Sequence, residues 1–477
     1  MMITAKRWRI HKAFSAVTCT ALLLSHAQAE TLTAHHGMYE AGKSEAQNMF
    51  FYEQDGKQYL YSAWGVVPIE VNDKGEFRAI DPNVPLSGSF YHQNDGVYHS
   101  GRFQYSEFKS LFGRADVNSH ELNVPMLFDD YWWNTLSNET SCENQQWQTD
   151  SNIRYDQSVI KSLIELSQQP DSLYANTDSL LVAKDGKLVI EQYFGGWQAD
   201  FPHSIQSISK SLTSLAAGSA IKQELIEGYQ TKISDLMPAY AKFLQQDKSE
   251  LTLHHFLSMG AGLNWDEWSI PYGNPNNVRS IEMASNDPVE FILDRELAVQ
   301  PGSMFEYNGG LVTVVGEIVA QQSGKKNFAD YWRSSPLNML CFQHAYMSMQ
   351  AGGVSNAAGG GYMRPRDMLK VGQLVAQDGV WQGKRILPEG WIERSTQKYL
   401  KTRDRGVSYG YYWWLSDAEV DGETYSVAYG LGYGGQIVAV VDELNLVVAR
   451  TAWQMDGPTP YQEIMEDYII PAFTSVK

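Results

Sequence analysis

Ser207-Ile208-Ser209-Lys210 places a hydroxyl and an amine three residues apart at the start of a run of helix formers, residues 211–221. On a helix, positions three apart differ by about 60° in direction and lie one turn apart. The lysine amine therefore reaches the serine hydroxyl and can take its proton, which makes a serine nucleophilic without a histidine. The helix adds a second effect, because its free N–H groups and dipole favour negative charge at that end. The same four letters also arise by chance at the start of a surface helix. Two later segments supply what acyl chemistry additionally needs. Tyr307 stands in a glycine-rich stretch, 301–310, ahead of a helical run over 311–321. A phenol beside an ammonium is expected to lose part of its pKa of about 10 and so to exchange a proton with the serine and then the leaving group. The plain alternative is a buried aromatic with a bonded hydroxyl. Residues 430–436, Gly-Leu-Gly-Tyr-Gly-Gly-Gln, lead into an apolar strand over 437–441. Glycines there let a substrate lie against the backbone, and the N–H of Gln436 is expected to complete an oxyanion hole with that of Ser207.

These residues need a frame. A helix is expected over 156–167, where Ile160, Leu163, Ile164 and Leu166 are apolar, followed by strands at 179–184 and 188–193 around the turn Asp185-Gly186. Ser207 follows that hairpin. Helices and loops run to about residue 400, then strands return at 410–415, 423–429, 436–441 and 446–451, with a last helix over 460–468. Strands at both ends of a domain spanning 151–477 predict an α+β fold. Its antiparallel sheet is built from the two ends and flanked by helices, a helical subdomain is inserted between them, and the site lies in the cleft. Residues 30–120 are different: short aromatic strands between turns such as Asp73-Lys74-Gly75 form a small β-rich region. That region reads either as an appendage of the main domain or as a binding module.

In this order the three segments resemble the serine β-lactamase superfamily, in the broad branch that contains class C β-lactamases, esterases, D-amino peptidases and nylon-oligomer hydrolases. The family's S-x-x-K falls on Ser207 and Lys210, its tyrosine motif on Tyr307, and its strand motif of the K-T-G or H-x-G type on Tyr433-Gly434-Gly435. Stretches between them are similar too: Leu251-Thr252-Leu253-His254-His255-Phe256-Leu257-Ser258-Met259, Asp287-Pro288-Val289-Glu290, and Gly359-Gly360-Gly361-Tyr362 with Arg366-Asp367-Met368. The resemblance covers roughly 151–475. It implies a serine hydrolase working through an acyl-enzyme on Ser207, with Lys210 and Tyr307 as proton carriers and no metal ion or organic cofactor.

Two departures bear on substrate. Asn308 directly follows Tyr307, so Gly309 stands where the family's side-chain amide would be. Tyr433 replaces the lysine or histidine that opens the strand motif, which removes a positive charge. Both point away from β-lactams and toward an ester or linear amide, with Tyr433, Gly434, Gly435, Asn308 and Trp265 as substrate contacts. Trp265, Trp268, Tyr272 and the loop 270–277 either wall the cleft for an apolar or extended acyl group or belong to the core of the helical part. The competing readings are a D-amino acid peptidase or penicillin-binding protein acting on cell-wall peptides, and a relative that binds cell wall without turnover.

The 477 residues exceed what one core usually fills, in keeping with a large domain and a smaller one. Lys6, Arg7, Arg9 and Lys12 precede an apolar stretch, 13–24, that ends at Ala27-Gln28-Ala29. This is the pattern of a secretory signal peptide cleaved after Ala29. The apolar stretch is shorter than the ~20 residues that span a bilayer, and Val17-Thr18 before Cys19 is a poor lipoprotein site. An exported protein, periplasmic or secreted and without an integral membrane segment after processing, is expected. Loss of those four cations takes the formal charge from −18 to −22, since no acidic residue goes with them. So acidic a chain is unsuited to nucleic acid and is expected to meet a small-molecule or peptide substrate instead. Cys142 and Cys341 remain, either joined as a disulfide or as buried thiols.

Overall fold

Alternating aromatic and polar residues at the N-terminal end produce strands that close on themselves. The computed structural model describes residues 36–41, 49–114, 133–137 and 147–475, apart from single residues and short segments within those ranges. The expected leader and Cys142 lie outside the described residues. Strands β1 (Gly37–Ala41), β2 (Met49–Gln54), β3 (Lys57–Ser62), β4 (Gly65–Val71), β5 (Glu76–Ala79), β6 (Leu86–Asn94), β7 (Val97–Tyr105) and β8 (Phe108–Arg114) pair antiparallel in chain order. β1 also pairs with β8, so the barrel has no free edge. Its interior is filled by the rings of Tyr39, Phe51, Phe77 and Phe90, with centroids 4.8 to 5.6 Å apart. Gly88 lies opposite Phe77, where a Cβ would come within 2.2 Å of the Phe77 ring. A concavity of about 890 Å³ over the barrel wall, lined by residues such as Glu70, Arg78, Arg102 and Gln104, includes none of the residues around Ser207.

The main domain follows β9 (Trp133–Thr135) and α1 (Gln157–Ser167), whose Asp156 cap accepts the N–H groups of Ser158 and Val159. A hairpin of β10 (Thr177–Lys184) and β11 (Lys187–Tyr193) leads to β12 (His203–Gln206) and α2 (Ile208–Lys222). The helical insertion contains α3 (Ile233–Leu236), α4 (Leu253–Leu257), α5 (Val278–Met283), α6 (Pro288–Leu293), α7 (Gly309–Gln322) and α8 (Phe328–Ser334). Strands β13 (Tyr346–Ser348) and β14 (Gly361–Met363) precede α9 (Pro365–Ala376) and the short hairpin of β15 (Val380–Trp381) and β16 (Lys384–Arg385). The chain ends with β17 (Leu400–Lys401), β18 (Ser408–Tyr409), β19 (Trp414–Val420), β20 (Glu423–Gly432), β21 (Gln436–Val441), β22 (Leu446–Ala452) and a helical segment at 461–474.

The expected sheet is present. Its order is β11-β10-β22-β21-β20-β19-β18-β17, all antiparallel, so the start and the end of the domain meet where β10 pairs with β22. β10, β21 and β22 are buried along nearly their whole length because the sheet is covered on both faces, by α2 and α9 on one side and by the C-terminal helical segment on the other. Gly372 lets α9 sit close: a Cβ there would lie 2.4 Å from Val447 Cγ1. The expected strand at 410–415 begins only at Trp414, since Tyr412 has φ of 62° and turns the chain first. A second sheet, β12-β14-β13-β9, carries the strand that feeds the nucleophile, and barrel strand β4 packs against that strand. Cys341 is disulfide-bonded. Among the described residues, no helix is long and apolar enough to cross a membrane.

Candidate active site

Gln206 ends β12 with φ of 48°, a left-handed conformation uncommon outside glycine, and Ser207 then opens α2. The bend is held by Ser209, whose hydroxyl donates to the Gln206 carbonyl at 2.6 Å and accepts the Gly361 N–H at 2.9 Å. Every residue of α2 from Ile208 to Ala220 is buried, so this is a central helix without the polar stripe of a surface one. One turn along, Lys210 Nζ lies 3.0 Å from Ser207 Oγ and donates at 2.7 Å to the Ala358 carbonyl. Lys210 is 4 % exposed, and burial lowers its pKa to about 7; the charge of Glu267 pulls it back up and Arg279 pushes it further down.

Tyr307 arrives from the loop before α7. Its hydroxyl is hydrogen-bonded to Ser207, its ring lies 4.7 Å from Lys210 Nζ, and it packs between Trp414 at 5.7 Å and Trp268 at 5.3 Å. The three residues expected to act together are thus in contact. The direction of the phenol's pKa is a correction to the sequence expectation. Burial raises it, the charge of Glu267 raises it further, and the bond to Ser207 only partly opposes them. Tyr307 therefore stands as a proton donor beside an amine that is close to neutral at physiological pH.

The strand beside the nucleophile is β20. β19 accompanies it from Glu423 to Tyr429 and stops there, whereas β20 continues along β21 to Gly432. The Gly432 carbonyl accepts the Gly435 N–H at 3.1 Å and so faces β21. Because backbone groups of an antiparallel strand alternate between its two edges, the N–H and C=O of Leu431 point to the edge that β19 has vacated. This end of β20 adjoins the nucleophile turn: a Cβ on Gly432 would lie 2.3 Å from the Ile205 carbonyl oxygen, and one on Gly430 would lie 3.0 Å from Ser211 Oγ. Gln436 occupies a different place. It opens β21 opposite Gly432, and its side chain exchanges bonds of 2.6 and 3.0 Å with Ala452. Its backbone lies in the β20–β21 ladder rather than against the cleft, which does not fit the oxyanion role expected of it.

Of the expected substrate contacts, Tyr433, Gly434 and Gly435 form the tip of the β20–β21 hairpin, with φ of 85° and 92° at the two glycines. Tyr433 is 49 % exposed and meets Tyr272, itself 42 % exposed, edge to face at 5.6 Å. Trp268 is also half exposed, so these three rings make an aromatic rim. Trp265 belongs to the core instead: it is 5 % exposed, its indole N–H donates to Glu267 at 2.7 Å, and the Arg295 guanidinium covers its ring. Asn308 is buried, and its amide oxygen caps α7 by accepting the Leu311 N–H at 3.2 Å. Asn308→Ala is accordingly expected to cost about 1 kcal/mol of stability and to leave KM unchanged. Denaturant unfolding alongside substrate titration checks this, and a raised KM at unchanged stability would return Asn308 to substrate binding.

Behind the site lies a buried polar group that the sequence did not signal. Glu267 accepts from Trp265, from the Gly309 N–H at 2.7 Å and from the Tyr272 hydroxyl at 2.7 Å. Arg279 is ion-paired with Glu282 and bonds Asn356 at 2.5 Å and Thr313 at 3.3 Å. Glu306, His203 and His254, all near the catalytic segments in sequence, have structural partners: Glu306 pairs with Arg403, His203 with buried Asp178, and His254 with the Tyr411 hydroxyl. No group of three or more His, Cys, Asp or Glu among the described residues is arranged to hold a metal ion.

A family model described as Beta-lactamase matches residues 167–469. The 6-aminohexanoate-dimer hydrolase of Paenarthrobacter ureafaciens is 22% identical over 314 residues, covering 62% of this chain and 77% of that protein. A solved structure from Bacillus anthracis, described as a candidate 6-aminohexanoate-dimer hydrolase, superposes with a TM-score of 0.57 at 21% identity, covering 70% of this chain and 88% of its own. A family VIII carboxylesterase superposes with a TM-score of 0.52 at 16% identity, covering 69% of this chain and 98% of its own. At these identities the two structures share a fold with this chain.

Proposed function

Since the chain belongs to the beta-lactamase family, we propose that it is an exported serine hydrolase that cleaves an ester or linear amide through an acyl-enzyme on Ser207. It is a hydrolase of the β-lactamase superfamily, with the fold shared by amide hydrolases and esterases. The observation that carries the finer reading is the contact of 3.0 Å between Ser207 Oγ and a buried Lys210 whose pKa is about 7. Ser207 Oγ attacks the substrate carbonyl and its proton passes to the Lys210 amine. The oxyanion forms against the N–H groups of Ser207 and Leu431. As the carbonyl re-forms, Tyr307 gives its proton to the departing alkoxide or amine and regains one from the Lys210 ammonium. Water then attacks the acyl-enzyme, losing its proton to the same pair, and Ser207 is released with a carboxylic acid as product.

The half-exposed rim of Trp268, Tyr272 and Tyr433 suits an apolar or extended acyl group. β20, Glu423–Gly432, carries no lysine, arginine or histidine, so the strand offers no cation to a substrate carboxylate. Export, to the periplasm or the medium, is supported by the N-terminal pattern and by the disulfide at Cys341. The test compares a short-chain nitrophenyl ester, a linear acyl anilide and a chromogenic cephalosporin on the purified mature protein. Turnover of the ester or anilide well above that of the cephalosporin is expected. Faster cephalosporin turnover, or release of D-alanine from cell-wall peptides at a higher rate than ester cleavage, would overturn the substrate assignment.

A further inference from the structure

The carboxyl group of Glu267 is 2 % exposed and receives three donors from three parts of the site. The Gly309 N–H comes from the turn that carries Tyr307, the Tyr272 hydroxyl from the rim, and the Trp265 indole from the core beneath. Gly309 is small enough to allow this approach: a Cβ there would lie 3.2 Å from Glu267 Oε2 and 3.0 Å from the Arg279 side chain. The charged and titratable groups that feel this carboxylate are Lys210, Tyr272, Arg279, Glu306, Tyr307 and Tyr409. Those that face Lys210 are the Ser207 hydroxyl, the Tyr307 ring and the Ala358 carbonyl, with Glu267 and Arg279 acting on it through the field.

We propose that Glu267 is a positioning residue for this reaction: one buried carboxylate pins the Tyr307 turn and the rim residue Tyr272, and fixes the balance of charge between Lys210 and Tyr307. The inference rests on the roles given above to that pair. Its sign is set by electrostatics. A negative charge nearby favours the lysine ammonium and disfavours the phenolate, so it holds both groups in their protonated forms to higher pH. Glu267→Gln removes the charge and retains most of the shape. Both limbs of the kcat/KM profile are then expected to move toward acid, by about one pH unit, with kcat lowered about tenfold. Tyr272→Phe acts in the opposite direction. It removes a donor from the carboxylate at a half-exposed position, strengthens the field at Lys210 and moves the acid limb toward alkali.

The wild-type protein is profiled first with the ester, beside Ser207→Ala. If turnover does not depend on Ser207, the proposed function fails and this inference fails with it. If it does, and Glu267→Gln loses activity with both limbs stationary, Glu267 only supports packing and the inference alone is overturned. Should Glu267→Gln not fold, Tyr272→Phe decides: an alkaline displacement of the acid limb supports the assignment and an unmoved limb overturns it.

Discussion

Ser207→Ala is expected to bring ester turnover down to a residual background, a loss on the order of 10⁶-fold in kcat. The argument is one of parts acting as a unit. Without Oγ there is no atom to form the acyl bond, and Lys210 and Tyr307 are left with no proton to move. What survives is binding on the aromatic rim and polarisation of the carbonyl by the backbone N–H groups, which act on a water attack only weakly. Folding is expected to be intact, because Ser207 is partly exposed and its side chain does not cap α2. Steady-state rates with a nitrophenyl ester, normalised by a circular dichroism spectrum matching the parent, provide the check.

Lys210 carries the second large effect. Lys210→Ala is expected to lower kcat/KM by about 10²- to 10⁴-fold, the range for loss of a positioned base. In the parent protein the acid limb of kcat/KM should lie near pH 7, because the amine must be neutral to accept the Ser207 proton and burial lowers its pKa to about 7. The same burial has a stability consequence. In the unfolded chain a lysine titrates near 10.4, so between about pH 7 and 10.4 the unfolded state binds more protons and parent stability rises with pH. The penalty is fully present below pH 7 and absent above 10.4. Lys210→Met is therefore expected to raise Tm at pH 6 to 7, to lose that advantage at high pH, and to be inactive throughout. A variant less stable than the parent at pH 6, or an acid limb near pH 5, would show that the amine is charged and structural.

Much of this frame was legible because it is written locally. The helix over 157–167 and the hairpin before Ser207 follow from side-chain periodicity and the turn Asp185-Gly186. The S-x-x-K spacing alone predicts the Lys210–Ser207 contact, since helix geometry fixes it. Asn308 was expected as a substrate contact and instead caps α7, although an asparagine immediately before Gly-Gly-Leu is itself a helix-start signal. What was hidden depends on distant chain. Closure of the barrel requires β1 to find β8. The free edge of β20 could be located only once it was known where β19 ends, and that edge is why the proposed mechanism uses Leu431 in place of Gln436. The Tyr307 phenol was expected to be acidified by its lysine neighbour, but burial and the unforeseen Glu267 prevail. Glu267 itself has no spacing signature, and its importance arises from three donors brought together by the fold.

The most direct measurement is the mass of the protein after reaction with a fluorophosphonate, followed by proteolytic mapping of the modified residue. The account predicts one adduct per chain, on the peptide containing Ser207, formed faster as pH rises through about 7 and absent from Ser207→Ala. An adduct on another residue, or none with a folded parent protein, would contradict it.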